Sequence, residues 1–101
     1  MIALFEEKLK DIEKICKKRG VSRLYSFGSV NTNQFNKNSD IDLIVEFKIP
    51  VSEEYADNYL DMCHDLESIL NRKVDLITAR SIKNPIFKNQ VETTRQLIFQ
   101  D

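Results

Sequence analysis

The chain has 101 residues, of which 42% are apolar and 31% charged, and its 15 Lys plus Arg nearly balance 16 Asp plus Glu. That length suits one domain spanning residues 1–101, with no room for a second core. The even charge weighs against long nucleic acid as a partner, so a polyanionic ligand would need local neutralisation.

The N-terminal stretch brings Glu6 and Glu7 early and lacks the pattern of a secretory leader. No apolar run approaches the ~18 residues of a membrane span, so a cytoplasmic protein without a membrane partner is expected. Cys16 and Cys63 lie in helix-like patterns away from any CxxC or Cys/His cluster and are expected to be buried thiols.

Ile2, Phe5, Leu9, Ile12 and Cys16 recur at three- and four-residue spacing, which predicts an amphipathic helix from about Ile2 to Lys18. Lys17, Lys18 and Arg19 suit the negative end of its dipole, and Gly20 suits its stop. A short strand over 23–27 should follow, closed by Gly28-Ser29. The asparagine-rich stretch from Val30 to Ser39 then gives way to Asp40-Ile41-Asp42-Leu43-Ile44-Val45-Glu46-Phe47, the strongest strand signal in the chain.

After Pro50, Ser52 with Glu53 and Glu54 marks a second helix start. This helix should run to about Leu70 and bury Ala56, Tyr59, Leu60, Cys63, Leu66 and Leu70. Its acidic face, Asp57, Asp61 and Asp65, reads as solvated. His64 lies beside it, and Tyr55 and Tyr59 read as packing. A third strand is expected over 73–78. Asn84-Pro85 then opens a last helix with the stripe Phe87, Val91, Thr94 and Ile98. The sum is an α+β (α/β-like) fold: a small mixed β-sheet of three or more strands with helices packed on it.

Three aspartates carry the chemistry. Asp40 and Asp42, two apart on a strand, leave one face while Ile41 packs on the other. Paired carboxylates repel unless a cation lies between them, and Mg²⁺ suits one or two carboxylates plus phosphate oxygens. Asp75 interrupts the apolar run Val74, Leu76, Ile77, where an unpartnered aspartate is unfavourable. Facing the other two, it could hold a second metal or take a proton from an attacking hydroxyl. Singly, each aspartate is as readily a structural or strand-edge residue; the combination points to a site. Gly28 allows backbone to approach a phosphate, and Ser29 adds a hydroxyl donor.

Gly28-Ser29, ten intervening residues, Asp40-Ile41-Asp42 and then Lys73-Val74-Asp75-Leu76 together resemble the signature of the DNA polymerase beta-like nucleotidyltransferases. The short chain most resembles the minimal nucleotidyltransferases, antitoxin-type partners of HEPN proteins. The resemblance spans nearly the whole chain. It implies that Asp40, Asp42 and Asp75 form a two-metal catalytic site for Mg²⁺ or Mn²⁺, with Gly28 and Ser29 holding ATP. It also implies AMP transfer to an acceptor hydroxyl, commonly a tyrosine on a HEPN-type toxin partner. The competing expectation is a binding module that neutralises its partner by occlusion, and self-association stays open. Val30 and Asn31 stand where many relatives have a basic residue, which leaves the γ-phosphate to Lys37 or to a partner's cation.

Overall fold

A computed structural model describes residues 3–28, 40–48 and 55–101. Helix α1 (Ala3–Lys18) leads into strand β1 (Val21–Phe27), followed by β2 (Ile41–Phe47) and helix α2 (Tyr55–Leu70). Strand β3 (Val74–Thr78), a 3₁₀ turn (Ala79–Ser81), helix α3 (Pro85–Thr94) and strand β4 (Gln96–Gln100) complete the chain. The strands form one mixed sheet in the order β3-β2-β1-β4. β1 runs antiparallel to both β2 and β4, whereas β2 and β3 are parallel. A parallel pair requires a crossover, and α2 supplies it.

Alternation along β2 divides its side chains between two faces. Ile41, Leu43 and Val45 enter the main core with Phe5, Ile12 and Cys16 of α1 and Met62, Leu66 and Leu70 of α2. Ile44 lies on the opposite face, clustered with Phe27 and Val91 and flanked by Tyr25, Ile77, Ile82 and Phe87. Asp42, two residues before Ile44, therefore shares the face that α3 covers in part. The first helix buries Phe5, Ile12 and Cys16 as its periodicity predicts, and Gly20 follows it at φ +71°. Asn84 caps α3 as expected, its Oδ1 accepting from the amides of Ile86 at 2.9 Å and Phe87 at 3.3 Å, with Pro85 next.

Three expectations need correction. The last helix does not continue through Ile98. It ends at Thr94, and Ile98 belongs to β4, pairing beside Leu24–Phe99 and Tyr25–Leu97. Val91, Thr94 and Ile98 fit helical spacing, but β1 offers a sheet edge whose hydrogen bonds local periodicity cannot register. In α2, Leu66 and Leu70 are buried and Tyr59 and Cys63 pack against the core as expected, but Leu60 is 55% exposed and Met62 is fully buried instead. The side chains of Tyr55 and Ala56 lie outside the described ones.

Third, the acidic face of α2 is not merely solvated. Arg19 reaches across from the end of α1 to Asp61 at 3.5 Å and Asp65 at 3.3 Å. The guanidinium thus bridges two helices rather than serving only the dipole of its own. His64 is exposed. Both cysteines are free thiols, with Cys16 buried and Cys63 half-buried. Burial, helped by Glu13, pushes the Cys16 thiol up to about 12, which keeps it protonated. Among the described residues, no helix is long and apolar enough to cross a membrane.

Candidate active site

The site forms where β1 ends and β2 and β3 begin. In the parallel ladder Asp42 stands directly beside Asp75, followed by Leu43 beside Leu76 and Ile44 beside Ile77. Neighbouring strands are about 4.8 Å apart, so in-register residues project side by side from one face. Asp75 is exposed and Asp42 half-buried. Asp40 lies exposed immediately before β2. Burial holds the Asp42 carboxyl above the usual carboxylate range, and the charges of Asp75 and then Asp40 push it further the same way. The three acids thus share one electrostatic field.

On the other flank of Asp42, the antiparallel register sets Phe27 opposite it, and Gly28 follows. Gly28 has φ +73°, a left-handed conformation, and a Cβ built there would stand 2.9 Å from Asp42 Oδ2. Glycine therefore satisfies two demands at once, backbone angle and space for the carboxylate. Ser29, expected to act with it, lies outside the described residues, as do Val30, Asn31 and Lys37.

Aromatic packing anchors this end of the sheet. Phe27 meets Phe87 of α3 edge-on, with ring centroids 5.9 Å apart at 83°. Further along the same face, the Arg95 guanidinium lies 4.6 Å from the centre of the Tyr25 ring. Behind the sheet, Tyr59 Oη donates to the Leu76 carbonyl, fixing α2 against β3 one residue from Asp75. Helical spacing predicts only a packing role for Phe87. Its place beside Phe27, next to Gly28, was not legible from helical spacing.

Among the described residues, no three His, Cys, Asp or Glu side chains come close enough together to hold a metal ion. Mg²⁺ does not require three. It takes one or two carboxylates and completes its shell with water and phosphate oxygens. Asp42 with Asp75 or Asp40 supplies hard oxygen donors of that kind, in a setting where mutual repulsion already favours a cation.

The sequence model of the nucleotidyltransferase domain matches residues 9–98, nearly all of the chain. The chain belongs to the nucleotidyltransferase family. A protein of Methanocaldococcus jannaschii provisionally named a protein adenylyltransferase is 40% identical to this nucleotidyltransferase over 88 residues, covering 86% of this chain and 87% of the relative. A second protein of that organism, with the same provisional name, is 32% identical over 83 residues, 82% of each chain. The enzyme class is therefore that of the family, nucleotidyl transfer.

Solved structures agree on the fold. A protein provisionally named a minimal nucleotidyltransferase superposes with a TM-score of 0.75 at 24% identity, covering 94% of this chain and 95% of that one. A toxin–antitoxin crystal structure with AMP-PNP gives 0.71 at 24% identity, covering 92% and 73%. A tri-AMPylated Shewanella oneidensis HEPN toxin in complex with MNT antitoxin gives 0.66 at 21%, covering 95% and 72%.

Proposed function

We propose that this nucleotidyltransferase works in the cytoplasm as a single domain over residues 1–101 and moves AMP from ATP to an acceptor hydroxyl, a tyrosine on a HEPN-type toxin partner. The observation that carries the proposal is the in-register pair Asp42–Asp75, with Gly28 against the far side of Asp42. The provisional names of the M. jannaschii relatives and the AMP-PNP and AMPylated-toxin structures support nucleotide and partner.

In this scheme Asp42, paired with Asp40 or with Asp75, would hold Mg²⁺, which when bound would neutralise phosphate charge and polarise the phosphoryl oxygens. Gly28 and Ser29 receive the triphosphate, because a glycine turn lets backbone amides come close to an anion. Asp75, on the far flank from Gly28, accepts the proton of the attacking hydroxyl. The new bond forms between that oxygen and the α-phosphorus, and the bond to the bridging oxygen breaks, releasing pyrophosphate.

Incubation with labelled ATP, Mg²⁺ and the HEPN-type partner should transfer label to the partner, and the Asp40→Asn, Asp42→Asn double variant should not. Equal labelling by the variant overturns the assignment. If the variant fails to label the partner yet still neutralises its toxicity, occlusion rather than modification is the operative role.

A further inference from the structure

Strand β3 forms one edge of the sheet, so alternate backbone groups along it have no strand to pair with. Lys73 marks the inner side, because its carbonyl accepts from the Ile41 amide at 3.0 Å. Backbone direction alternates along a strand, so Val74 and Leu76 present their polar groups outward. Helix α2 supplies partners for them. Glu67 Oε2 accepts from the Val74 amide at 3.0 Å, and Cys63 Sγ donates to the Val74 carbonyl at 3.7 Å. Tyr59 Oη donates to the Leu76 carbonyl. Tyr59, Cys63 and Glu67 follow one another at four-residue spacing, a single row along the helix. The row grips the residues on either side of Asp75. Burial pushes the Cys63 thiol up, and the charges of Glu67 and then Asp75 add to it, so row and carboxylate share one field.

One member of the row reaches further than the sheet edge. The amide of Val74 and the carbonyl of Lys73 belong to the same peptide unit. Glu67 therefore holds one end of a unit whose other end accepts from Ile41. Ile41 is the residue between Asp40 and Asp42. The bonds thus run from the Glu67 carboxylate through one peptide plane to the strand that carries the other acids. Hydrogen bonds in series polarise one another, and a charged acceptor strengthens the first of them. The peptide plane resists twisting, so the tie fixes where β3 begins relative to β2. Ile41 stands beside Val74 in the ladder, and the next rung is Asp42 beside Asp75. The spacing of the two carboxylates is set one residue away.

Taking the transfer reading above as its basis, we propose that Glu67 is a positioning residue for the metal-holding carboxylates. Its bond to the Val74 amide sets how Asp75 stands beside Asp42, and it acts through the peptide unit rather than by touching the ion. Mg²⁺ requires oxygens at about 2.0–2.1 Å in near-octahedral order, so small errors in carboxylate spacing cost affinity. Groups that orient metal ligands from outside are worth about 10–100-fold in affinity. A row that merely covered the sheet edge would give up stability on losing Glu67 and leave ion binding unchanged.

The test is Mn²⁺ binding by the full chain without nucleotide, read from the free-ion EPR signal, with amide hydrogen exchange followed alongside. Glu67→Leu removes the acceptor, whereas Glu67→Gln keeps an oxygen that can accept from Val74. Leucine should weaken Mn²⁺ binding by roughly tenfold, about 1.4 kcal/mol. It should also speed exchange at Ile41, relative to amides of β1, by roughly tenfold. Glutamine should hold both within about twofold of wild type. Glu67→Asp, one methylene short of Val74, serves where leucine does not fold and should act in the same direction. Arg19→Ala, which loosens α2 on its α1 side, controls for lost stability and should change neither measurement. Unchanged Mn²⁺ affinity or Ile41 exchange on losing the acceptor, no rescue by glutamine, or an equal loss in Arg19→Ala each overturns the inference. The transfer reading fails differently. Wild type then shows no Mn²⁺ binding that Asp42→Asn removes, while Ile41 exchange still answers to position 67, and the metal role of Glu67 falls with it.

Discussion

Gly28 and Asp42 are packed so closely that a methyl group at position 28 would stand 2.9 Å from Asp42 Oδ2. The turn that ends β1 and the first carboxylate of β2 are therefore one mechanical unit. Whatever sets the backbone at 28 also sets where the carboxylate lies.

Gly28→Ala is accordingly expected to harm activity more than stability. The left-handed conformation costs a non-glycine residue about 1–2 kcal/mol. The added methyl also displaces the end of a side chain whose position matters to the ångström, a change worth about a hundredfold in rate. Thermal melting beside a labelled-transfer assay measures both. A variant that melts far lower but transfers normally per folded molecule contradicts the coupling.

Asp42→Asn should stabilise the fold at neutral pH in chelator while abolishing transfer. Because burial, Asp75 and Asp40 all raise the Asp42 carboxyl in the folded state, the folded protein binds this proton more readily than the unfolded chain. The stability contributed by protonation is full below the unfolded value, near 3.8, and is lost as pH rises through the raised folded value. The advantage of asparagine is therefore present above that window and shrinks as pH falls through it. Melting temperatures of both proteins across the acid range decide the point, and a constant difference speaks against it.

Asp75→Asn separates the acceptor step from nucleotide binding. If Asp75 accepts the proton of the entering hydroxyl, kcat should fall by about 10²–10⁴, with the affinity for ATP analogue changing far less. Equilibrium binding and single-turnover transfer provide the two numbers. An equal loss in both makes Asp75 a nucleotide-binding group instead.

Arg19→Ala tests the tie between α1 and α2, away from the site. Its guanidinium meets Asp61 at 3.5 Å and Asp65 at 3.3 Å and is itself largely covered. Removal should destabilise by about 1 kcal/mol, less in high salt, because Asp61 is more than half exposed. Denaturant unfolding at two salt concentrations measures it, and transfer per folded molecule should be unchanged.

Local pattern determined much of this protein. The strand signal over 40–47 and the apolar run that Asp75 interrupts placed Asp42 and Asp75 on strands, and the Asn84-Pro85 pair placed the start of α3, because these depend on neighbours a few residues away. Three features depended on contacts distant in sequence, and only tertiary structure decided them. Strand β4 forms because β1 has a free edge for Gln96–Gln100 to pair with. Arg19 turns toward α2 because Asp61 and Asp65 are brought within reach of the end of α1. The register that sets Asp42 beside Asp75, with Gly28 on the other flank, is fixed by the hydrogen bonds and packing of three strands together. Side-chain period announces which face an aspartate takes, but its neighbour across the sheet is chosen by the whole core.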